Sequence, residues 1–351
     1  MAQFLIFSDI HIFAHKRKLE RLEDCLSVLD WVFDTARKYN IKNILFGGDF
    51  FHDRQKIEVY TYQRAFEALS KNLTNNPAHL WLLLGNHDLW FNEKTSISSV
   101  IPLSALPNIH IIDKPSRLII DNIPWDFVPF THDPISSVQE LKVLPGKADF
   151  CLGHIALDGA QLHGDTLSEV AVEHDGDMVK VSSNLFSHYK QAFFGHYHAA
   201  QILDDVCEYV GSPLQLSFGE AGQTKNILLF DTDNLKKTYI PNDFSPKHLV
   251  IRNPKDLKKH DLQKNFVKLW VDDLGATNII QLRKEILENA APGSLEIKQA
   301  KKITEEHVIQ DAKAILFQED AMMTRYVDEV GTNGLDRELL LTIGKTICSK
   351  V

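Results

Sequence analysis

Phe46-Gly47-Gly48-Asp49-Phe50-Phe51-His52-Asp53 is the stretch from which the fold is read. It follows Asn43-Ile44-Leu45-Phe46, an apolar run that predicts a buried strand. Two glycines then let the chain turn sharply, and Asp49 comes at the strand end. Four other stretches repeat the design. Phe4–Phe7 runs into Ser8-Asp9-Ile10-His11, and Leu80–Leu84 into Gly85-Asn86-His87-Asp88. Phe150–Leu152 runs into Gly153-His154, and Ala192–Phe194 into Gly195-His196-Tyr197-His198. Five apolar strands thus each deliver Asp, Asn or His at one end. If those ends lie together they build one polar site at the edge of a sheet, with Asp49 at its centre.

The residue types point to metal chemistry. Divalent ions such as Mn²⁺ take carboxylate, amide-oxygen and imidazole ligands. Asp9, His11, Asp49, Asn86, His154, His196 and His198 offer enough donors for two ions sharing Asp49. His196 and His198 stand two apart, so on extended backbone they point to one face. Two ions about 4 Å apart can clamp a phosphate and activate water for in-line displacement, with no nucleophilic side chain. His87 is the candidate general acid, Asp88 the carboxylate that orients it, and His52 a group able to reach the scissile phosphate. No cysteine stands near the cluster, which weighs against zinc–thiolate chemistry. Asp-x-His and Gly-His are common by chance, and Gly-Asn-His-Asp and Gly-His-Tyr-His are more specific; the order of all five, each behind an apolar strand, carries the reading.

Length and composition bound what surrounds the site. The 351 residues suggest one large domain plus an appendage. No basic-then-apolar leader opens the chain and no apolar run approaches the ~20 residues of a membrane span, so a cytoplasmic protein is expected. Cys25, Cys151, Cys207 and Cys348 are scattered and read as reduced thiols. The net charge of −9 argues by itself against a nucleic-acid binder. It is unevenly spread, however: residues 246–351 carry 17 Lys and Arg against 16 Asp and Glu. Lys247 to Lys268, with Arg252, Lys255, Lys258, Lys259 and Lys264, can touch phosphates or be a solvated linker.

Helices alternate with the first strands. Leu22, Cys25, Leu26, Leu29, Val32, Phe33 and Ala36 share one face of a helix over Lys18–Tyr39. A second helix is predicted over Val59–Leu73 and a short one near Ile97–Leu106. This alternation implies a largely parallel, buried sheet. Segments from Arg117 to Pro129 are β-like. The runs Gln201–Leu203, Glu208–Val210, Asn226–Phe230 and Lys237–Ile240 read as antiparallel strands completing a second sheet. The polar segment from His154 to Leu185 reads as a lid in which His163 and His174 are either ligands or surface residues. The core domain is expected over 1–246. A small α/β cap over 247–303 follows, with strands Phe266–Val271 and Leu295–Lys298 and a helix Asn278–Asn289. C-terminal helices are expected over 304–351, at Thr304–Gln318, Asp320–Val330 and Leu335–Ser349. Leu335, Leu339, Ile343 and Ile347 form a stripe that either packs on the chain's own tail or binds a partner helix.

Asp-x-His, Gly-Asp, Gly-Asn-His-Asp, Gly-His and Gly-His-x-His, in that order over residues 9–198, resemble the calcineurin-like metallophosphoesterase superfamily. The resemblance implies an α/β fold: a two-sheet β-sandwich flanked by helices, with a dinuclear site at one edge. It assigns Asp9, His11, Asp49 and His198 to one metal, and Asp49, Asn86, His154 and His196 to the other. Gly47–His52 and Gly211-Ser212-Pro213 are similar to the SbcD-type DNA nucleases, including small subunits of phage recombination endonucleases. That likeness implies a Mn²⁺-dependent (or Mg²⁺-dependent) DNA exonuclease and endonuclease for duplex ends and single strands, a homodimer, and an SbcC-like ABC-type coiled-coil ATPase as partner. Phosphomonoesterases, nucleotidases and protein phosphatases of the same fold are the alternative. The phosphatases usually show Gly-Asp-x-x-Asp-Arg-Gly and Gly-Asn-His-Glu, from which His52-Asp53-Arg54-Gln55 and Asp88 depart.

Overall fold

The computed structural model describes residues 2–13, 19–75, 77–91, 94–161, 181–272, 275–290 and 292–299, with Asp336, Arg337 and Leu341 beyond them. The expected lid histidines His163 and His174 lie outside the described residues. So do the helices over Thr304–Gln318, Asp320–Val330 and, those three residues apart, Leu335–Ser349.

Two six-stranded sheets face each other. The first contains β1 (Gln3–Phe7), β2 (Asn43–Phe46), β3 (His79–Leu83) and β6 (Ile109–Ile112), all parallel, in the order β1-β2-β3-β6. The second has β8 (Ile123–Val128), β9 (Phe150–His154), β10 (Gln191–Gly195) and β12 (Cys207–Tyr209) as parallel neighbours, with β7 (Ser116–Ile120) and β11 (Gln201–Ile202) at its edges. Alternation along each strand explains the continuous apolar runs. In β1, Phe4 and Ile6 enter the core between the sheets, while Leu5 and Phe7 face outward under the helices. In β10, Phe193 points inward and Ala192 and Phe194 outward. A strand covered on both faces has no polar side to show.

Helix α1 (Leu19–Lys38) buries the seven residues of its predicted face against the outer side of the first sheet. It stops because Asn40 takes φ 54°, and the Ile41 amide donates back to the Ala36 carbonyl at 2.8 Å. This left-handed turn closes the orphan carbonyls of the last helical turn. Helix α2 (Val59–Asn75) packs beside α1. Helix α3 (Pro134–Val143) covers the second sheet with Val138 and Leu141. It has a readable start: Asp133 accepts from the Ser136 amide at 3.0 Å, and Pro134 fills the first turn.

Three expectations are corrected. An antiparallel pair, β4 (Leu89–Phe91) and β5 (Lys94–Ser98), and then a 3₁₀ turn at Ile101–Ala105 stand where a helix near Ile97–Leu106 was expected. Pro102 sits early in that turn, and the backbone closes by 3₁₀-type bonds, Leu103 N to Val100 O and Leu106 N to Leu103 O. β12 runs parallel to β10 and antiparallel only to β11. β13 (Asn226–Asp231) and β14 (Lys236–Pro241) extend the first sheet: β13 pairs antiparallel with β1. Alternation gives a strand's faces but not its neighbour, which is chosen by the open edge of β1.

The remaining described chain is a parallel sheet of β15 (His248–Ile251), β16 (Phe266–Val271) and β17 (Ser294–Gln299), covered by α4 (Ala276–Ala290). Val267, Leu269, Leu295 and Ile286 form its core. It touches the larger body through His248, whose amide donates to Gln215 Oε1 at 2.6 Å and whose ring meets Phe218 edge-on at 4.9 Å. Among the described residues no helix is long and apolar enough to cross a membrane.

Candidate metal centre

Parallel pairing decides where the site falls. Phe7 of β1 lies beside Phe46 of β2, and Phe46 beside Leu82 of β3; in the other sheet Gly195 of β10 lies beside His154 of β9. The carboxyl ends therefore open at one edge, as ligand sites of parallel sheets do. The segments beyond β1 and β2 stay laced together. The Asp9 amide donates to Gly48 O at 2.9 Å, His11 N to Asp49 O at 3.1 Å and Ile12 N to Phe50 O at 2.8 Å. Asp9, His11, Asp49 and His196 all sit at positive φ, at 55°, 47°, 62° and 100°. Left-handed backbone costs roughly 1–3 kcal/mol at a non-glycine residue. Four such residues at one edge show that packing fixes the donors against local preference. Gly48, at φ 103°, has no alternative: a Cβ there would lie 2.4 Å from His154 Nδ1.

All seven expected ligands come together. Oxygen and nitrogen donors of Asp9, His11 and His198 lie within 4.8 Å of one another, as do those of Asp9, Asp49 and His154. His11 Nε2 and His198 Nε2 are 3.1 Å apart, and His11 Nε2 is 3.5 Å from Asp49 Oδ2. His154 Nε2 is 3.5 Å from the same Asp49 oxygen and 2.9 Å from Asn86 Oδ1, which His196 Nδ1 approaches at 3.2 Å. Asp49 therefore stands between two donor groups.

The donor set fits cations. His154 Nδ1 donates to the Gly47 carbonyl at 2.7 Å, so its Nε2 lone pair would face the lone pairs of Asn86 Oδ1 and Asp49 Oδ2. Only a proton on Nε2 or a cation reconciles them. Burial disfavours a charged His154, yet the Asp49 and Asp9 carboxylates outweigh it and hold its pKa up to about 9 in the ion-free chain. Asp49 is held well below the carboxylate range: burial opposes this, but His154, His87 and His11 prevail. Asp9 moves upward, first through burial and then through Asp49. His11 Nδ1 is buried with no hydrogen-bond partner among the described residues.

His52 and His87 join His11 in a third convergent group on the open side. Their rings stack at 5.7 Å, and His87 meets His11 edge-on at 4.7 Å. The expectation that Asp88 orients His87 is corrected. His87 Nδ1 lies 2.5 Å from the His52 carbonyl. The buried Asp88 carboxylate accepts instead from the amides of Gly85 and Asp49 on Oδ2, and of Phe50 and Phe51 on Oδ1. Within the 3₁₀ turn Asn86–Asp88 its side chain points back under the loop while that of His87 points to the site. Burial, more than the nearby positive charges of Arg54 and His52, pushes His87 down to about 4, so in the ion-free chain its imidazole is neutral at neutral pH.

The model of the calcineurin-like phosphoesterase family matches residues 2–200. The chain belongs to this family. The phosphoesterase is similar to exonuclease subunit 1 of Enterobacteria phage T4, at 26% identity over 209 residues. That match covers 59% of this chain and 58% of the phage protein, so the chain spans less than two thirds of that relative. It is also similar to the SbcD component of the SbcCD nuclease of Escherichia coli (strain K12), at 26% identity over 302 residues, 76% of this chain and 73% of that one. Among solved structures it is similar to a dimetal phosphatase from Danio rerio, at 10% identity and a TM-score of 0.40, covering 68% of this chain and 98% of that one.

Two groups at the site had no signal in the sequence. Glu220 Oε1 lies 3.0 Å from His198 Nδ1, and Lys225 lies 2.7 Å from Glu220 Oε2. Neither belongs to a strand-end motif; only the folded loop brings them behind His198.

Proposed function

We propose that the chain is a metal-dependent DNA nuclease, a 3′→5′ exonuclease and single-strand endonuclease. In this reading it is the nuclease subunit of an SbcCD-like repair or recombination complex. The observation that carries this is the placement of Asp49 between two donor groups, with His52 and His87 on the open side. Relatives named as nucleases support the choice of DNA over a smaller ester.

Asp9, His11, Asp49 and His198 would hold one ion, and Asp49, Asn86, His154 and His196 the other, with Mn²⁺ as the proposed ion and Mg²⁺ as the alternative. Bound there, two divalent ions supply charge stabilisation and an activated water for in-line displacement. The chain's own residues orient and exclude. The Gly47 carbonyl fixes the His154 ring, and the Asp9 carboxylate accepts from the His196 amide at 3.0 Å, pinning the loop that carries two ligands. His87, held by the His52 carbonyl, stands where it can hydrogen-bond the leaving oxygen; the phosphate's negative charge favours the protonated imidazole this requires. His52 contacts the phosphate from the same side.

Residues 1–246 would then be the nuclease domain and 247–303 a cap contacting DNA through its lysines. Residues 304–351 would dock on an SbcC-like ATPase in the cytoplasm, within a complex built on a homodimer. Deleting 335–351 should loosen ATPase binding while hydrolysis of short DNA survives; an intact complex would make the leucine stripe an internal packing face. The first test of the activity is nucleotide release from end-labelled duplex DNA in Mn²⁺. The second compares bis- and mono-(p-nitrophenyl) phosphate. Preference for the diester supports the nuclease; a strong preference for the monoester sinks it in favour of a phosphomonoesterase, nucleotidase or protein phosphatase.

A further inference from the structure

The loop that follows the Gly-His-x-His segment is built around His198. Gly211, at φ 73°, passes so close that a Cβ would lie 2.7 Å from the Ala200 amide nitrogen and 2.9 Å from the His198 carbonyl. The Ser212 amide donates to that carbonyl at 3.0 Å, and Lys225 Nζ donates to it at 2.8 Å. The Gly-Ser-Pro motif is thus the seat of one ligand's backbone. The ring is held from the same loop. Glu220 Oε1 lies 3.0 Å from His198 Nδ1, while its Oε2 takes Lys225 Nζ at 2.7 Å and the Leu216 amide at 3.1 Å. Glu220 and Lys225 are each only 6% exposed.

The arrangement has an electrostatic logic. A carboxylate ion-paired to a buried ammonium stays ionised and can only accept. His198 Nδ1 must therefore carry the hydrogen, which leaves the Nε2 lone pair facing His11 Nε2 and the site. A buried ion pair is costly to desolvate, and an apolar pair of similar size often holds a fold as well. Its position directly behind a ligand ring is what the cost accomplishes. Lys225 also offsets the charge of Glu220, so the pair directs the ring without adding net charge behind the site.

We infer that Glu220, locked by Lys225, is a positioning residue that fixes the tautomer and orientation of His198 and so sets the affinity of the ion site shared by Asp9, His11 and His198, leaving the site of Asn86, His154 and His196 to other supports. The inference rests on the two-ion reading given above.

The test is a Mn²⁺ titration of the full chain, followed by the paramagnetic resonance of free Mn²⁺, for wild type, Glu220→Gln and His198→Ala. Wild type should bind two ions. Glu220→Gln should weaken roughly 10–100-fold, the usual range for a lost partner behind a ligand, the same affinity class that His198→Ala removes, and leave the other class unchanged. In ion-free protein at alkaline pH, where the imidazole is neutral, nitrogen NMR should show His198 as the Nδ1–H tautomer in wild type and as a mixture in Glu220→Gln. The Glu220→Gln/Lys225→Met double variant removes the stranded ammonium and guards against misfolding. It should keep a tenfold or greater weakening of the same class; recovery of wild-type affinity would mean that stray charge, not positioning, was at work, and would overturn the inference. Two ions bound normally by Glu220→Gln, or both weakened equally, would overturn it as well. A wild type that binds fewer than two ions would overturn the two-ion reading itself.

Discussion

Asp88 lies beneath Asp49: its Oδ2 accepts the Asp49 amide at 2.9 Å, and its Oδ1 the Phe50 amide at the same distance. One carboxylate thus holds the backbone of another, and the two-residue separation of Asn86 and Asp88 lets one turn both present a donor to the site and brace it. Asp88 is 1% exposed, and burial followed by the charge of Asp49 pushes its carboxyl up to about 7, against the pull of the Gly85 and Phe50 amides. Asp88→Asn keeps one oxygen acceptor and turns an NH₂ toward amides that can only donate. Leaving such groups unsatisfied costs about 1–3 kcal/mol each. The variant should lose roughly 2–4 kcal/mol of metal-free stability, read from urea unfolding, and bind Mn²⁺ weakly at both sites. Unchanged stability would mean the loop after β2 does not depend on this brace.

Asp49→Asn and His87→Ala should separate binding from chemistry. The introduced amide retains an acceptor for the His87 backbone N–H, which in the native chain donates to Asp49 Oδ1 at 2.7 Å. The amide cannot balance the buried His154 imidazolium as the carboxylate does, so the metal-free fold of Asp49→Asn should be less stable than wild type. This variant should lose the Mn²⁺-dependent rise in melting temperature that wild type gains by binding ions to the native state, and hydrolysis with it. His87→Ala should keep that rise and lose at least about 10²-fold in hydrolysis of bis-(p-nitrophenyl) phosphate, the usual scale for a general acid. Mn²⁺ stabilising Asp49→Asn as much as wild type would remove Asp49 from the shared position.

The difference between what was legible and what was not follows sequence distance. The five strand ends could be read because each couples an apolar run to an adjacent polar residue, and parallel pairing then brings those ends to one edge without further information. The helical face of Leu22 to Ala36 was legible for the same local reason. Strand neighbours were not: β13 joins β1, Leu229 beside Leu5, through edge pairing that no local pattern encodes. Glu220 and Lys225 were silent because an acid and a lysine five apart in a Gly-containing loop look like solvated surface, and their burial appears only in the folded loop. Asp88 was visible as a residue but misassigned in role, since spacing places a carboxylate and an imidazole side by side without saying that a 3₁₀ turn sends them to opposite sides.

Gly48→Ala should test whether the left-handed turn is a requirement of the site or only of the strand end. The added Cβ meets His154 Nδ1 at 2.4 Å and the Gly85 backbone at 2.9 Å, and φ 103° is strained for alanine whatever the space. Both His154 and the Gly85 turn must shift. Roughly 2–4 kcal/mol of stability should be lost, with the Mn²⁺ site of Asn86 and His154 weakened more than that of Asp9 and His11. Equal weakening of the two would show that the strain spreads through Asp49.

His248 predicts how acid acts on the junction with the small parallel sheet. Its ring lies between Phe266, stacked at 4.7 Å, and Phe218, edge-on at 4.9 Å, and its Nδ1 is buried with no hydrogen-bond partner among the described residues. The charges of Arg21, Lys225 and Lys268 act on it, and that of Glu220 opposes them. Burial first, then those cations, push its pKa from 6.5 down to about 3. The unfolded chain therefore takes up a proton near pH 6.5 that the folded chain refuses until about pH 3. The stabilising contribution is complete above about pH 6.5 and is lost progressively as pH falls toward about 3. Between about pH 7 and about pH 5 the loss from this group should approach about 2 kcal/mol. His248→Phe keeps both ring contacts and cannot titrate, so its unfolding free energy should fall by roughly 1–2 kcal/mol less than that of wild type over the same interval. Equal slopes for the two proteins in urea unfolding across that interval would place the acid sensitivity elsewhere, in the carboxylates and imidazoles of the metal centre.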